Sequence, residues 1–228
     1  MRKAIYKNIV ILAAVTSMLL IAAAATADLE QGTIISGLKE ALSLSTEKAI
    51  ALVGKTDGYF GNQAIKILMP EKMRMVTDAL GKMGMQKQVD EFILSMNRAA
   101  EKAAPKAASI FGDAIKNMNL DDARKILNGG DTAATDYFKL KTSNSIYTEF
   151  KPIIAATMGE AGTTRLFENI MSKAKALPLM SGIKFDLNDY VTKKSTDGLF
   201  VMLGQQEKMI RINPGARSRD LLKKVFGK

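Results

Sequence analysis

Apolar positions recur at three- and four-residue spacing along most of this chain. Ala99 to Met118 shows the pattern best, with Ala100, Ala103/Ala104, Ala107/Ala108, Phe111, Ala114/Ile115 and Met118 on one stripe. Arg98, Lys102, Lys106, Asp113 and Lys116 lie mainly off it. That period predicts an amphipathic helix with a small-residue seam, which lets another helix approach closely. Pro105 falls inside the pattern, and either kinks one long helix or opens the second of two. Thr33 to Val53 repeats the period through Ile34/Ile35, Leu38, Ala41/Leu42, Ala49/Ile50 and Val53. Glu71 to Met83 does so through Met73, Val76, Leu80 and Met83, and Thr163 to Leu177 through Leu166/Phe167, Ile170/Met171 and Ala174.

Polar residues mark the ends. Asn119 before Leu120-Asp121-Asp122 reads as an N-cap with acids in the first turn. That short helix is expected to stop at Asn128-Gly129-Gly130, with glycine supplying positive φ. Asp131 then caps the next helix, which carries Ala134, Tyr137 and Phe138. Asp186 caps a long helix running towards Ile212, stopped by Asn213-Pro214. Its middle, Leu199 to Leu203, is apolar all round and reads as the central buried element. Ser218 caps a last short helix to Phe226. Only Ala64 to Met69 hints at extended structure, with Ile65, Ile67 and Met69 alternating with Lys66 and Leu68. Thr56 to Phe60 and Thr196 to Phe200 share four of five residues, one in an expected loop and one in an expected helix, so the match reads as chance. The expectation is an all-α chain: one compact domain of about eight helices over residues 28–228, without long linkers.

The first 27 residues stand apart. Arg2, Lys3 and Lys7 precede an uncharged stretch from Ile9 to Ala25, closed by Ala25-Thr26-Ala27. A basic start, an apolar middle and an A-x-A ending make a secretory signal peptide cleaved near Ala27. An uncleaved anchor is the alternative. The expected location is the periplasm.

Export changes the charge picture. The whole chain carries 33 Lys+Arg against 23 Asp+Glu, or +10. Three positive charges belong to the leader, and residues 207–228 hold seven basic and two acidic residues. The body between them is nearly balanced. The basic end, with Leu221/Leu222, Val225 and Phe226 beside Lys223 and Lys224, could touch an anionic membrane surface. Nucleic acid is not an expected partner of an exported chain.

The chain has no His and no Cys. That excludes imidazole bases, Ser-His-Asp triads, thiolate nucleophiles, cysteine-bound metals, disulfides and lipid attached to a cysteine. The fold must rest on packing alone. No cofactor, metal ligand set or catalytic residue is expected. Oxygen-only chemistry remains open through Asp121/Asp122, Asp131, Asp136, Asp186/Asp189 and Asp197, as a carboxylate-based hydrolase or lyase. Most of these sit at expected caps. The 14 methionines include Met73, Met83, Met118 and Met171 at core spacing, which reads as filler in a helical core.

Two loops and one tail segment are binding candidates. Asp57, Gly58 and Asn62 belong to a polar loop carrying Tyr59 and Phe60. Asn128, Gly129, Gly130 and Asp131 precede a helix start, where backbone N–H groups could cradle an anion. The competing reading is a C-cap followed by an N-cap. Arg211, Asn213 and Arg217 open the basic end.

Thr56–Asn62, Ser95–Ala107, Asp121–Phe138, Asp186–Phe200 and Arg211–Gly227 together resemble the bacterial domain of unknown function family 4197. The resemblance spans nearly the whole chain after the leader, in order. It implies an exported, mostly helical envelope domain and carries over no catalytic residues. It also points to the same two loops and to Arg211–Arg217. The functional expectation is a non-enzymatic periplasmic protein that binds an envelope protein or an apolar ligand.

Overall fold

The computed structural model describes residues 32–174 and 185–212. Of these residues 84% are helical and none lies in a strand, so the chain is all-α. The described helices form six uninterrupted runs, not eight. They are α1 (32–54), α2 (71–116), α3 (Leu120–Asn128), α4 (Ala133–Glu160), α5 (Thr163–Ala174) and α6 (Leu187–Ile212). The leader at 1–27 and the helix expected from Ser218 to Phe226 lie outside the described residues.

One of the two missing helices is that undescribed one, and the other goes because α2 unites two expected helices. It joins Glu71–Leu80, Gln86–Ala103 and Ala107–Lys116 through a π turn at Gly81–Met85 and a 3-10 turn at Ala104–Lys106. Pro105 sits in that 3-10 turn, where the chain tightens and continues instead of stopping. The π turn has a second effect. The backbone kinks there, with Gly84 outside the helical region at φ +79°, and Met83 just before it turns out of the apolar stripe. Met83 is 70% exposed, whereas Met73 and Met118 are buried as their spacing predicts.

The buried residues form one contiguous core. Its spine is α4, which packs on α2 and on α6. Ala134, Phe138, Thr142, Ile146, Phe150, Ile154 and Met158 make a buried stripe at every fourth position of α4. The alanine seam of α2 (Ala99, Ala100, Ala103, Ala104, Ala107) is fully buried. Phe111 meets Phe138 at 5.0 Å and Phe200 at 6.0 Å between ring centres, both edge-on. Helix α1 closes one side, with Lys39 Nζ donating to the Lys116 carbonyl and Gly54 facing the Pro105 ring.

Asn119 and Asp186 cap as expected. Asn119 Oδ1 accepts the Asp122 N–H at 2.7 Å, and Asp186 Oδ1 accepts the Asp189 N–H at 2.9 Å. Two other local expectations fail. Gly129 has φ −85°, not a positive value. Glycine is needed there for space, since a Cβ would lie 2.5 Å from Ala133 Cβ. The apolar run Leu199–Leu203 is not buried all round, for Val201 is 43% exposed.

Candidate functional site

The Asp57–Asn62 loop is fastened to the core at several points. Asp57 adopts φ +62°, and Arg98 donates to its carboxylate at 2.7 Å. Arg98 also donates to Glu101 at 2.6 Å. The Glu101 bond chiefly, with Asp57 behind it, holds the Arg98 pKa above its ordinary value. Glu101 is buried, and its Oε1 accepts the N–H groups of Tyr59 and Phe60 at 3.1 and 3.2 Å. Tyr59 is wholly buried, its hydroxyl donating to the Ser195 carbonyl at 2.6 Å. Burial first, then the nearby Glu101, pushes the Tyr59 pKa far upward. The ring lies against Gly198, where a Cβ would stand 2.6 Å from it. Gly58 passes equally close to the end of α1: a Cβ would stand 2.5 Å from the Leu52 and Val53 carbonyl oxygens. Asn62 Oδ1 accepts the Ala64 N–H and its Nδ2 points to Met202 Sδ. The two five-residue matches thus touch, through Tyr59 and Gly198.

The Asn128–Asp131 loop precedes α4, and the N-terminus of that helix is taken by the chain itself. Glu207, buried on α6, accepts the N–H groups of Ala134 and Thr135 and the Thr135 hydroxyl, each at 2.8 Å. Arg211 closes the arrangement, bonding Glu207 at 2.9 Å and the Ile126 carbonyl of α3 at 2.8 Å. An internal carboxylate therefore stands where an anion would sit. Asp131 does not cap α4. Thr132 is at the cap position and its own side chain makes no capping bond, while Asp131 faces Lys208 at 3.9 Å. Asn213 and Arg217 lie outside the described residues. The two loops are not brought together, since they meet α6 nine residues apart, about 13 Å along its axis.

The carboxylates do not converge. Asp122 and Asp189 are in first turns, Asp186 is a cap and Asp131 precedes a helix. Among the described residues no group of three or more acids could hold a metal ion. Asp189 has the most shaped surroundings. Tyr147 donates to it at 2.6 Å and Lys193 at 2.9 Å, and in that order they lower its pKa.

An open groove of about 740 Å³ lies elsewhere, between residues 64–71 and α6. Leu68, Met69 and Pro70 line one side, and Tyr190, Lys194, Asp197 and Val201 the other, with Gly198 between. Leu68 is 46% exposed, so Leu68 and Val201 are both half-open apolar side chains on its walls. The alternation expected for Ala64–Met69 is present: Ile65, Ile67 and Met69 are buried and Leu68 is not.

Asn97, fully buried on α2, holds this segment in place. Its Oδ1 accepts the Ile67 N–H at 2.8 Å, and its Nδ2 donates to the Ile67 carbonyl at 2.9 Å. One side-chain amide thus does the work of a neighbouring strand residue. On the groove side, Tyr190 donates to the Leu68 carbonyl at 2.7 Å. Sequence reasoning missed Asn97, Glu101 and Glu207. The only signal for Asn97 was an amide set among Phe92, Ile93, Met96 and Ala100 in an otherwise apolar stripe.

Among the described residues no helix is long and apolar enough to cross a membrane. No curated protein and no solved structure matches the chain. The family model of the protein of unknown function DUF4197 matches residues 28–227, and with nearly its whole length covered the chain belongs to that family.

Proposed function

We propose that this chain is a non-enzymatic binding protein of the cell envelope and that the groove beside residues 64–71 is its binding surface. The groove carries the reading. It is an open concavity of about 740 Å³ in which two apolar side chains, Leu68 and Val201, stand half-open beside the charged Lys66, Glu71, Lys194 and Asp197. The two loops that first drew attention are spent on internal bonds instead. Export is supported by the basic, apolar and A-x-A order of the first 27 residues, and by a family match that begins at residue 28.

Site-specific photo-crosslinking in bacterial cells tests this reading. A photoreactive residue at Val201 should give a discrete adduct in the periplasmic fraction. The adduct should vanish when Leu68→Lys is added, and a probe at exposed Ser109 should give none. Equal labelling from both positions, or recovery of the protein only in the cytosol, would overturn it.

A further inference from the structure

The backbone around Ile67 offers a specific pairing edge. Both polar groups of Ile67 are held by Asn97. A trans peptide sets each carbonyl opposite the next N–H, and no peptide bond here is cis. The Lys66 carbonyl and the Leu68 N–H therefore both face away from Asn97. Neither meets a hydrogen-bond partner among the described residues. The Leu68 carbonyl, by contrast, already takes the Tyr190 hydroxyl. A free carbonyl at one residue and a free N–H two residues on can pair with an incoming strand of either direction. In a parallel strand one residue donates to the first and accepts from the second, and in an antiparallel strand the two residues flanking the one opposite Ile67 do so.

Building on the groove reading above, we propose that the groove takes an extended peptide segment of a partner protein, paired with the Lys66 carbonyl and the Leu68 N–H. An apolar side chain of that segment sits between Leu68 and Val201, and Pro70, lacking an N–H, ends the pairing. A second copy of this chain offers the same two groups across a two-fold axis, Leu68 N–H to Lys66 carbonyl twice over, so a wild type that dimerises in sedimentation, with the dimer lost on Val201→Lys, would overturn the peptide as occupant.

A displayed library of random short peptides, selected on the purified protein, supplies the probes. Selected peptides should bind the wild type and lose about tenfold or more affinity on Val201→Lys. Leu68→Pro removes the N–H and should weaken binding about tenfold beyond Leu68→Ala, which trims the side chain alone. Should Leu68→Pro unfold the protein, the wild type still decides, since its Leu68 amide should gain hydrogen-exchange protection when peptide is added. Sensitivity to Val201→Lys with Leu68→Pro equal to Leu68→Ala, or a Leu68 amide that stays unprotected, overturns the backbone pairing and leaves groove binding standing. Peptides indifferent to every groove substitution overturn both. A selection that yields no binder overturns the peptide proposal alone, since the crosslinking result is independent of it.

Discussion

Asn97 illustrates how one buried amide can create an exposed edge. Its three hydrogen bonds, to both groups of Ile67 and to the Ile93 carbonyl, are satisfied inside the core. Asn97→Ala leaves the Ile67 N–H and carbonyl buried and unpaired, and should cost about 2–3 kcal/mol in urea denaturation. A loss under ~0.5 kcal/mol would contradict that role. Tyr59 gives a second check, through pH. Its folded pKa is raised by burial, so the unfolded chain ionises first as pH rises. Its contribution is fully present below about pH 10 and is lost progressively above it. Tyr59→Phe should therefore be less stable at neutral pH, by about 1 kcal/mol, yet show a shallower alkaline decline. An unchanged alkaline slope would place the hydroxyl elsewhere.

The joint between α3, α4 and α6 rests on Glu207 and Arg211, which are nearly enclosed. Removing only Glu207 takes the carboxylate partner from the Arg211 guanidinium and opens the first turn of α4. Glu207→Ala should cost about 3–5 kcal/mol, and the double variant with Arg211→Ala should cost less than the two single losses added together. Strict additivity, read from denaturation midpoints, would show the pair to be uncoupled. Gly198→Ala probes the other station on α6. Its Cβ would press on the Tyr59 ring, and the loss should be about 1–3 kcal/mol, eased when Tyr59 is shortened to Leu. These joints explain what the sequence concealed. Helix α4 follows from its local period, and α3 and α6 also from local caps, all of which short windows contain. Asn97 meets Ile67 thirty residues away, and Glu207 meets Ala134 seventy-three away. No window links such residues, and Glu207 looks in sequence like one more charge at a basic end. The kink is equally silent: two glycines in Gly81–Met85 do not say which of them leaves the helix, and it is Gly84, beside the outward-turned Met83, that does.

Over the whole molecule, a packed α2–α4–α6 core holds a short extended segment rigidly against α6, without any disulfide to brace it. That segment was legible as an alternation of five or six residues. Its consequence, an edge that is closed on one side and open on the other, appears only once Asn97 and Tyr190 are in place. The proposed pairing with an extended partner depends on this edge being free in the isolated protein. Residue-resolved hydrogen exchange at two adjacent amides measures it most directly. The Ile67 amide, bonded to Asn97, should exchange slowly, and the Leu68 amide beside it rapidly, with Leu68 alone becoming protected when a selected peptide is added. Equal protection of both amides in the free protein would mean that the edge is already occupied, and would contradict the account.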